Sequence, residues 1–455
     1  MPRVVVVGGG PAGLVAARRL ATAGIDVQLF EREDVIGGRV RSRTVEGFTL
    51  DRGFQVLFTA YPTARLELDF EALDLRHFSP GAVIARPGSR ATVSDPFRDP
   101  ASLLESALTT ELTVGDKLRV LKLRRELRGT SAVAIFGEPD VTTHEFLTSY
   151  GFSANFVERF AAPFYGGISL DRRLETSSRV FRYTFAMLSS GRAAVPAGGM
   201  GTITTQLSET ATAAGVQIET GMDVDSIDTG ADSVDTGADS VDTGSASTDT
   251  GSASTDIGGA SIDAGDEVTI AAGGKTVTAD AVVVATDPPT ARELTAVESI
   301  PTEARGCVTQ HYALDGPELD AGRKLLLNAV DGSPNHVVQL SAVAPAYAPA
   351  GQVLLSATFL ESVDASDEEL CRRTRDALSA WYPARSFADL RLIATDRIPF
   401  AQFAQPPGIH DTLPGVRAAA GPVYLAGEYT TWSSIEGALA SGRAAARAVT
   451  ADLLD

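Results

Sequence analysis

Val4-Val5-Val6-Val7-Gly8-Gly9-Gly10-Pro11-Ala12-Gly13 opens the chain, and Glu31 closes a second apolar run 18 residues after Gly13. Strand, glycine turn, helix, strand and acid follow one another in the order that a dinucleotide-binding βαβ unit requires. Gly8 permits the sharp reversal, Gly10 lets the backbone approach a diphosphate, and Gly13 lets the helix lie close to the strand. Free N–H groups at the helix start, beside Pro11 and Ala12, meet the phosphate charge. Pro11 suits that first turn because its missing N–H costs nothing there. Gly24 ends the helix, Asp26 to Phe30 forms the second strand, and Glu31 stands ready to accept hydrogen bonds from a ribose hydroxyl pair. The fold class is α/β.

The chain continues Arg32-Glu33-Asp34-Val35-Ile36-Gly37-Gly38-Arg39, with Gly37 six residues after the acid. The two glycines allow close backbone approach, and the Arg39 guanidinium can pair with a phosphate oxygen. At the far end Val423-Tyr424-Leu425-Ala426 reads as a buried strand, followed by Gly427-Glu428. Ser434-Ile435-Glu436-Gly437-Ala438 then opens a helix rich in small residues that runs to Val449.

On these residues the chain resembles the flavin-containing amine oxidase superfamily, which includes the phytoene desaturases and protoporphyrinogen oxidases. The resemblance implies FAD as cofactor and a Rossmann-like FAD-binding domain of the glutathione-reductase superclass, with a second α+β substrate domain inserted. It implies cofactor contacts from Gly8, Gly10, Pro11, Ala12, Gly13, Glu31, Arg32, Gly38, Arg39, Val224, Gly427, Glu428 and Ile435. In this scheme Glu428 bonds the ribityl chain and the helix start after it faces the isoalloxazine. Pro196-Ala197-Gly198-Gly199-Met200-Gly201 resembles the family's re-entry into the flavin domain, and Ala281 to Pro288 its last strand and exit turn. The FAD domain is then expected from 1–75, 196–289 and 401–455, and the substrate domain from 76–195 and 290–400.

A chain of 455 residues exceeds what one core organises comfortably, in agreement with two domains. No leader and no run of 18 apolar residues is present, which predicts a cytoplasmic protein without a membrane span. Cys307 and Cys371 are too far apart for a CxxC redox pair, and no spacing suggests a metal site. The 39 basic residues, four of them Lys, face 58 acidic ones. That balance argues against a nucleic-acid partner and suits a high-salt, halophilic cytosol, or a genome that favours Arg over Lys.

Residues 225–266 hold six copies of a seven-residue unit, each with Gly at its sixth position and at most one moderately apolar residue. No a/d pair of hydrophobes exists, so this is no coiled coil. The tract carries ten Asp and no base, about half of the net −19. It reads as a disordered acidic loop between the strand-like runs Val216–Ile218 and Val268–Ile270, and a cation-binding repeat is the competing reading.

In 76–195, a mostly helical segment by pattern, residues 113–129 carry Val114, Leu118 and Leu121 as apolar positions, with Val120, Leu123 and Leu127 beside them. Lys117, Arg119, Lys122, Arg124, Arg125 and Arg128 share that helix. Such a helix suits peripheral contact with anionic lipid, or forms a domain surface whose arginines pair with acids. Phe146, Tyr150, Phe152, Phe156, Phe160, Phe164, Tyr165, Phe181, Tyr183 and Phe185 are ten of the chain's 30 aromatics within 40 residues. They line a large apolar cavity or pack an ordinary core. In 290–400, β-like runs at Val308–Leu314, Lys324–Val330, Val353–Leu360 and Leu390–Thr395 surround a helix capped at Ser366 that runs to Trp381.

A flavin accepts a hydride without a protein nucleophile, so no catalytic residue is assigned, and His77, His144, His311, His336 and His410 read as structural. Amine oxidases usually place a Lys near the start of the substrate sheet and an aromatic just before the Glu-Gly-Ala element. This chain has Gly306-Cys307-Val308-Thr309 and Ser434-Ile435 there. The resemblance therefore points to the desaturase and protoporphyrinogen oxidase branch. The implied reaction is FAD-dependent removal of hydride from a bulky apolar, isoprenoid or carotenoid-like substrate. Electrons then pass to quinone or oxygen, since no second dinucleotide fingerprint offers a nicotinamide site. The alternatives are an amine or protoporphyrinogen oxidase, or a non-catalytic lipid carrier on the same fold.

Overall fold

The computed structural model describes residues 1–94, 111–230, 267–360 and 364–454. The valine run becomes the strand Arg3–Val7, buried on both faces as a central parallel strand must be. It pairs in parallel with Asp26–Glu31 and with Ala281–Val284. Gln217–Thr220 and Val423–Leu425 add the two edges of this five-stranded sheet. The strand after the glycine turn thus includes Glu31 itself.

Alternation along the first strand splits its valines between two layers. Val4 and Val6 face a core shared with Leu14, Leu207 and Leu439, from the helices Pro11–Thr22, Gly201–Ala213 and Ile435–Leu454. Val5 and Val7 face Val224, Val268 and Ile270 of a three-stranded antiparallel sheet. That sheet corrects the reading of the repeat. Val224–Asp228 is a strand paired antiparallel with Val268–Ala272, so the first copy of the seven-residue unit begins inside a hairpin arm. Val268–Ile270 accordingly belongs to this second sheet, not to the parallel one. Residues 231–266, the rest of the repeat, lie outside the described residues.

Seven strands form the other large sheet, in the order Arg391–Phe403, Ala304–Leu314, Val353–Leu360, His336–Gln339, Leu325–Asn328, Ala82–Arg86, Ser89–Val93. The last two come from the segment expected to be mostly helical, and Val83 pairs in parallel with Leu326. Ser366 accepts from the Glu369 N–H at 3.2 Å and starts the helix Asp367–Trp381. Its Leu370, Leu378 and Trp381 pack on this sheet with Leu326, Val337 and Phe359.

The basic helix spans Val114–Glu126, with a reciprocal capping box between Thr113 and Asp116. Its buried anchors are Leu123 and Leu127, whereas Val114, Leu118 and Leu121 are 72%, 61% and 38% exposed. The expected apolar face is therefore turned outward. Lys122 pairs with Glu126 at 3.7 Å. Among the described residues no helix is long and apolar enough to cross a membrane, and no cluster of three or more His, Cys, Asp or Glu is arranged for a metal.

Candidate cofactor and substrate site

One cavity of about 900 Å³ runs from the glycine turn to the aromatic segment. At its near end the turn is shaped by contacts that only glycines allow. A Cβ on Gly8 would stand 2.7 Å from the Ala285 carbonyl oxygen, and one on Gly13 would stand 2.0 Å from Gly8 O. At Gly10 a Cβ would meet nothing within 4 Å, so the space in front of it is open. Gly37 donates its N–H to Gly9 O at 2.9 Å, and Gly38, at φ +55°, lies against Gly10. The second glycine pair is thereby folded onto the first.

Glu31 accepts from the Gly9 N–H at 2.7 Å and from the Glu33 N–H at 3.0 Å. A carboxylate has about four lone-pair positions, so about two remain for a pair of hydroxyls. Arg39 donates to Ala401 O at 2.9 Å and to Glu428 Oε2 at 2.5 Å. Glu428 Oε1 is buried with no hydrogen-bond partner among the described residues. An open cradle before a helix N-terminus, a carboxylate with spare acceptor capacity and an orphaned buried oxygen fit a dinucleotide with a polyol arm.

Of the predicted contact residues, Gly8, Gly10, Pro11, Ala12, Glu31, Arg32, Gly38, Arg39, Val224, Gly427, Glu428 and Ile435 all line this cavity. Gly13 does not: it packs behind the turn, and the C-terminal helix lies close by because Gly442 sits against Ala12 O. Arg32 turns partly outward and pairs with Asp287 at 3.3 Å. Glu436, in the Glu-Gly-Ala element, points away and accepts from the Thr63 and Ala64 N–H groups at 2.7 and 3.0 Å.

The far end of the cavity is apolar. Phe156, Phe160, Phe164, Tyr165, Tyr183 and Phe185 line it, while Phe146, Tyr150, Phe152 and Phe181 pack behind. The aromatic segment is thus wall and core at once. A π-helical turn at Val157–Ala161 widens the helix, which keeps residues spaced four apart on one face. Phe160 and Phe164 stack with centroids 5.3 Å apart.

Three wall residues were not among the predicted contacts. Cys307, in the lysine-free stretch Gly306 to Thr309, lines the cavity, and burial pushes its thiol up to about 12, so it stays neutral. Trp432 lies edge-to-face with Tyr183 at 5.1 Å. His336 was expected to be structural, and it lies in the wall with its ring packed on Phe54 at 5.0 Å. Arg172 donates to Asn335 Oδ1 at 2.9 Å, which orients the Asn335 amide to donate to Pro163 O at 2.9 Å and to His336 Nδ1 at 3.1 Å. His336 therefore carries its proton on Nε2, and burial holds its pKa down to about 4. A lone histidine in a short strand carries no pattern that would announce such a place.

Comparison with known proteins agrees with this geometry. A stretch of 55 residues is 51% identical to the 4,4'-diapolycopene oxygenase of a Methylomonas species, covering 12% of this chain and 11% of that protein. A stretch of 52 residues is 56% identical to putrescine oxidase of Kocuria rosea, covering 11% of each. The chain thus spans about a ninth of the length of these curated relatives. The crystal structure of cyclohexylamine oxidase from Brevibacterium oxydans superimposes over 100% of both chains with a TM-score of 0.67 at 16% identity, a likeness of fold. The model for flavin-containing amine oxidoreductases matches residues 11–450. With that match over nearly the whole chain, the protein belongs to the flavin-containing amine oxidoreductase family, a family of oxidoreductases whose cofactor is FAD.

Proposed function

We propose that the protein is an FAD-dependent dehydrogenase that removes a hydride from a bulky apolar substrate of isoprenoid or carotenoid type and passes the electrons to quinone or oxygen. The observation that carries this reading is the single cavity joining the glycine turn to an aromatic wall. Gly8, Gly10, Pro11 and Ala12 hold the diphosphate, backed by Gly13 beneath the turn. Glu31 holds the ribose, Arg32, Gly38 and Arg39 the neighbouring phosphate edge, and Val224, Gly427, Glu428 and Ile435 the rest of the dinucleotide. When bound, FAD supplies the two-electron acceptor. The chain's own part is orientation and exclusion of water, done by the aromatic face of 156–185 and by the neutral Cys307 and His336. Gly306 to Thr309 holds no lysine and Ser434-Ile435 no aromatic, where the resemblance to amine oxidases implies them, which favours this substrate class over amines. Contact with an anionic membrane through 113–129 belongs to the same proposal.

The test is anaerobic titration of the purified yellow protein with a lipid extract, with mass spectrometry of any co-purified lipid. Bleaching of the flavin band together with a desaturated product supports the reading. A colourless protein that still binds prenyl lipid overturns it in favour of a carrier. Bleaching by diamines but not by lipid overturns it in favour of an amine oxidase.

A further inference from the structure

The geometry points to the outward face of the helix Val114–Glu126 as a docking surface for an anionic lipid bilayer, set at the mouth of the substrate cavity. This rests on the apolar-substrate reading above and adds where such a substrate enters.

Three observations converge. Val114, Leu118 and Leu121 follow one another at i, i+4 and i+7, so they form one stripe along the helix, and all three are exposed. Isolated exposed hydrophobes need no explanation, but an aligned stripe marks a contact surface. Next, Leu121 is itself part of the cavity wall, with Lys117, Val120, Arg124 and Leu188. The stripe therefore reaches the wall of the aromatic chamber at Leu121. Finally, the charge around it is reversed relative to the rest of the molecule. Lys122, Arg125 and Arg128 are exposed on this segment of a chain whose net charge is −19.

On a chain of net charge −19 an exposed basic patch is where approach to an anionic bilayer is least opposed, so the patch also favours one orientation of approach. Apolar side chains flanked by long cationic ones are the composition that enters the headgroup boundary, the cations reaching phosphates while the apolar stripe sinks below them. A molecule too apolar for water then passes from the bilayer into the cavity beside Leu121.

The experiment uses the full-length, FAD-loaded protein with vesicles of phosphatidylcholine alone or mixed with phosphatidylglycerol. Flotation is read alongside the flavin spectrum and size-exclusion mass. The test variant is Val114→Asp/Leu118→Asp, and the control is Leu66→Asp/Val330→Asp at comparably exposed sites elsewhere. The expected result is that wild type and control float with the mixed vesicles and that the test variant binds them about tenfold more weakly. All three keep the same flavin spectrum, which shows that the variant folds. Wild type that does not float, or a test variant that floats equally well, overturns the docking surface. So does a wild-type dimer that the test variant converts to monomer. Protein that floats yet never bleaches with lipid refutes the proposed chemistry and leaves the surface standing. Bleaching by a detergent-dispersed extract without flotation refutes the surface alone.

Discussion

Arg39 and Glu428 stand 389 positions apart and meet at 2.5 Å, joining the glycine–arginine turn near the start of the chain to the glycine–glutamate turn near its end. The guanidinium also holds Ala401 O, so three distant segments converge on one side chain. The pair spans the point where both cofactor motifs must be in place together. In Glu428→Gln the charge that fixes Arg39 is gone, and the hydrogen bond that remains is weaker. We expect FAD affinity to fall by about 2 kcal/mol, a factor of roughly thirty. Flavin fluorescence titration of the apoprotein measures it, and an unchanged dissociation constant would remove Glu428 from the site.

Two glycines of the same turn are expected to fail differently. Gly10 has an ordinary φ of −78° and open space where a Cβ would go, so Gly10→Ala folds and loses cofactor. Gly13 has the Gly8 carbonyl oxygen 2.0 Å from its would-be Cβ, so Gly13→Ala destabilises the chain itself by about 3 kcal/mol. Thermal melting and flavin content, measured together, separate the two outcomes.

Acid sensitivity follows from His336. Its pKa is held at about 4 in the folded protein against 6.5 for a free side chain. Between those values the unfolded chain binds a proton that the folded chain does not, so stability falls as pH drops from 6.5 toward 4. In His336→Asn this contribution disappears. At pH 5 it is worth about 2 kcal/mol, so the melting temperature of the variant is expected to decline less between pH 7 and 5 than that of the wild type. Parallel declines would mean that folded His336 takes up a second proton as readily as the unfolded chain does.

The acidic repeat joins two arms of one hairpin, whose pairing ends at Asp228 and Thr269. Deleting 231–264 spares both arms and only shortens the connection. Loop closure changes slowly with length, so the expected effect on stability is a gain of no more than about 2 kcal/mol. Flavin content and turnover are expected to be unchanged. Loss of bound FAD on deletion would refute the reading of the repeat as a connection alone.

Wherever short-range chemistry decides the conformation, the sequence could be read closely. The turn at Gly8 to Gly13 must reverse and must approach a phosphate, and Ser366 must cap the helix that follows it, so both were legible from a handful of residues. What was not legible depends on partners far away. Ala82–Arg86 forms a local hairpin with Ser89–Val93, and its place in the large sheet is set by Leu325–Asn328 some 240 residues later. Val114, Leu118 and Leu121 have the spacing of a buried face, and nothing in that spacing says that Leu123 and Leu127 take the core instead. Asp225 to Asp228 looks like the rest of its repeat, and only pairing with Val268–Ala272 makes it a strand. For the site the division is similar: the glycines and acids carry motifs, whereas Trp432, Cys307 and His336 are placed by the sheet and its cover.

The long strand Arg391–Phe403 lies beside Ala304–Leu314, with Ala304 opposite Phe403 and the Ala404 N–H bonded to Glu303 O at 2.8 Å. Both passages of the chain around 300–304 and 400–404 thus travel as one laddered ribbon. A ribbon of this kind is a strut, not a pivot: swinging the two halves apart would tear rungs from its middle. Among the described residues, then, this ribbon braces one side of the molecule, and widening the cavity by parting these two passages would cost several backbone hydrogen bonds at once.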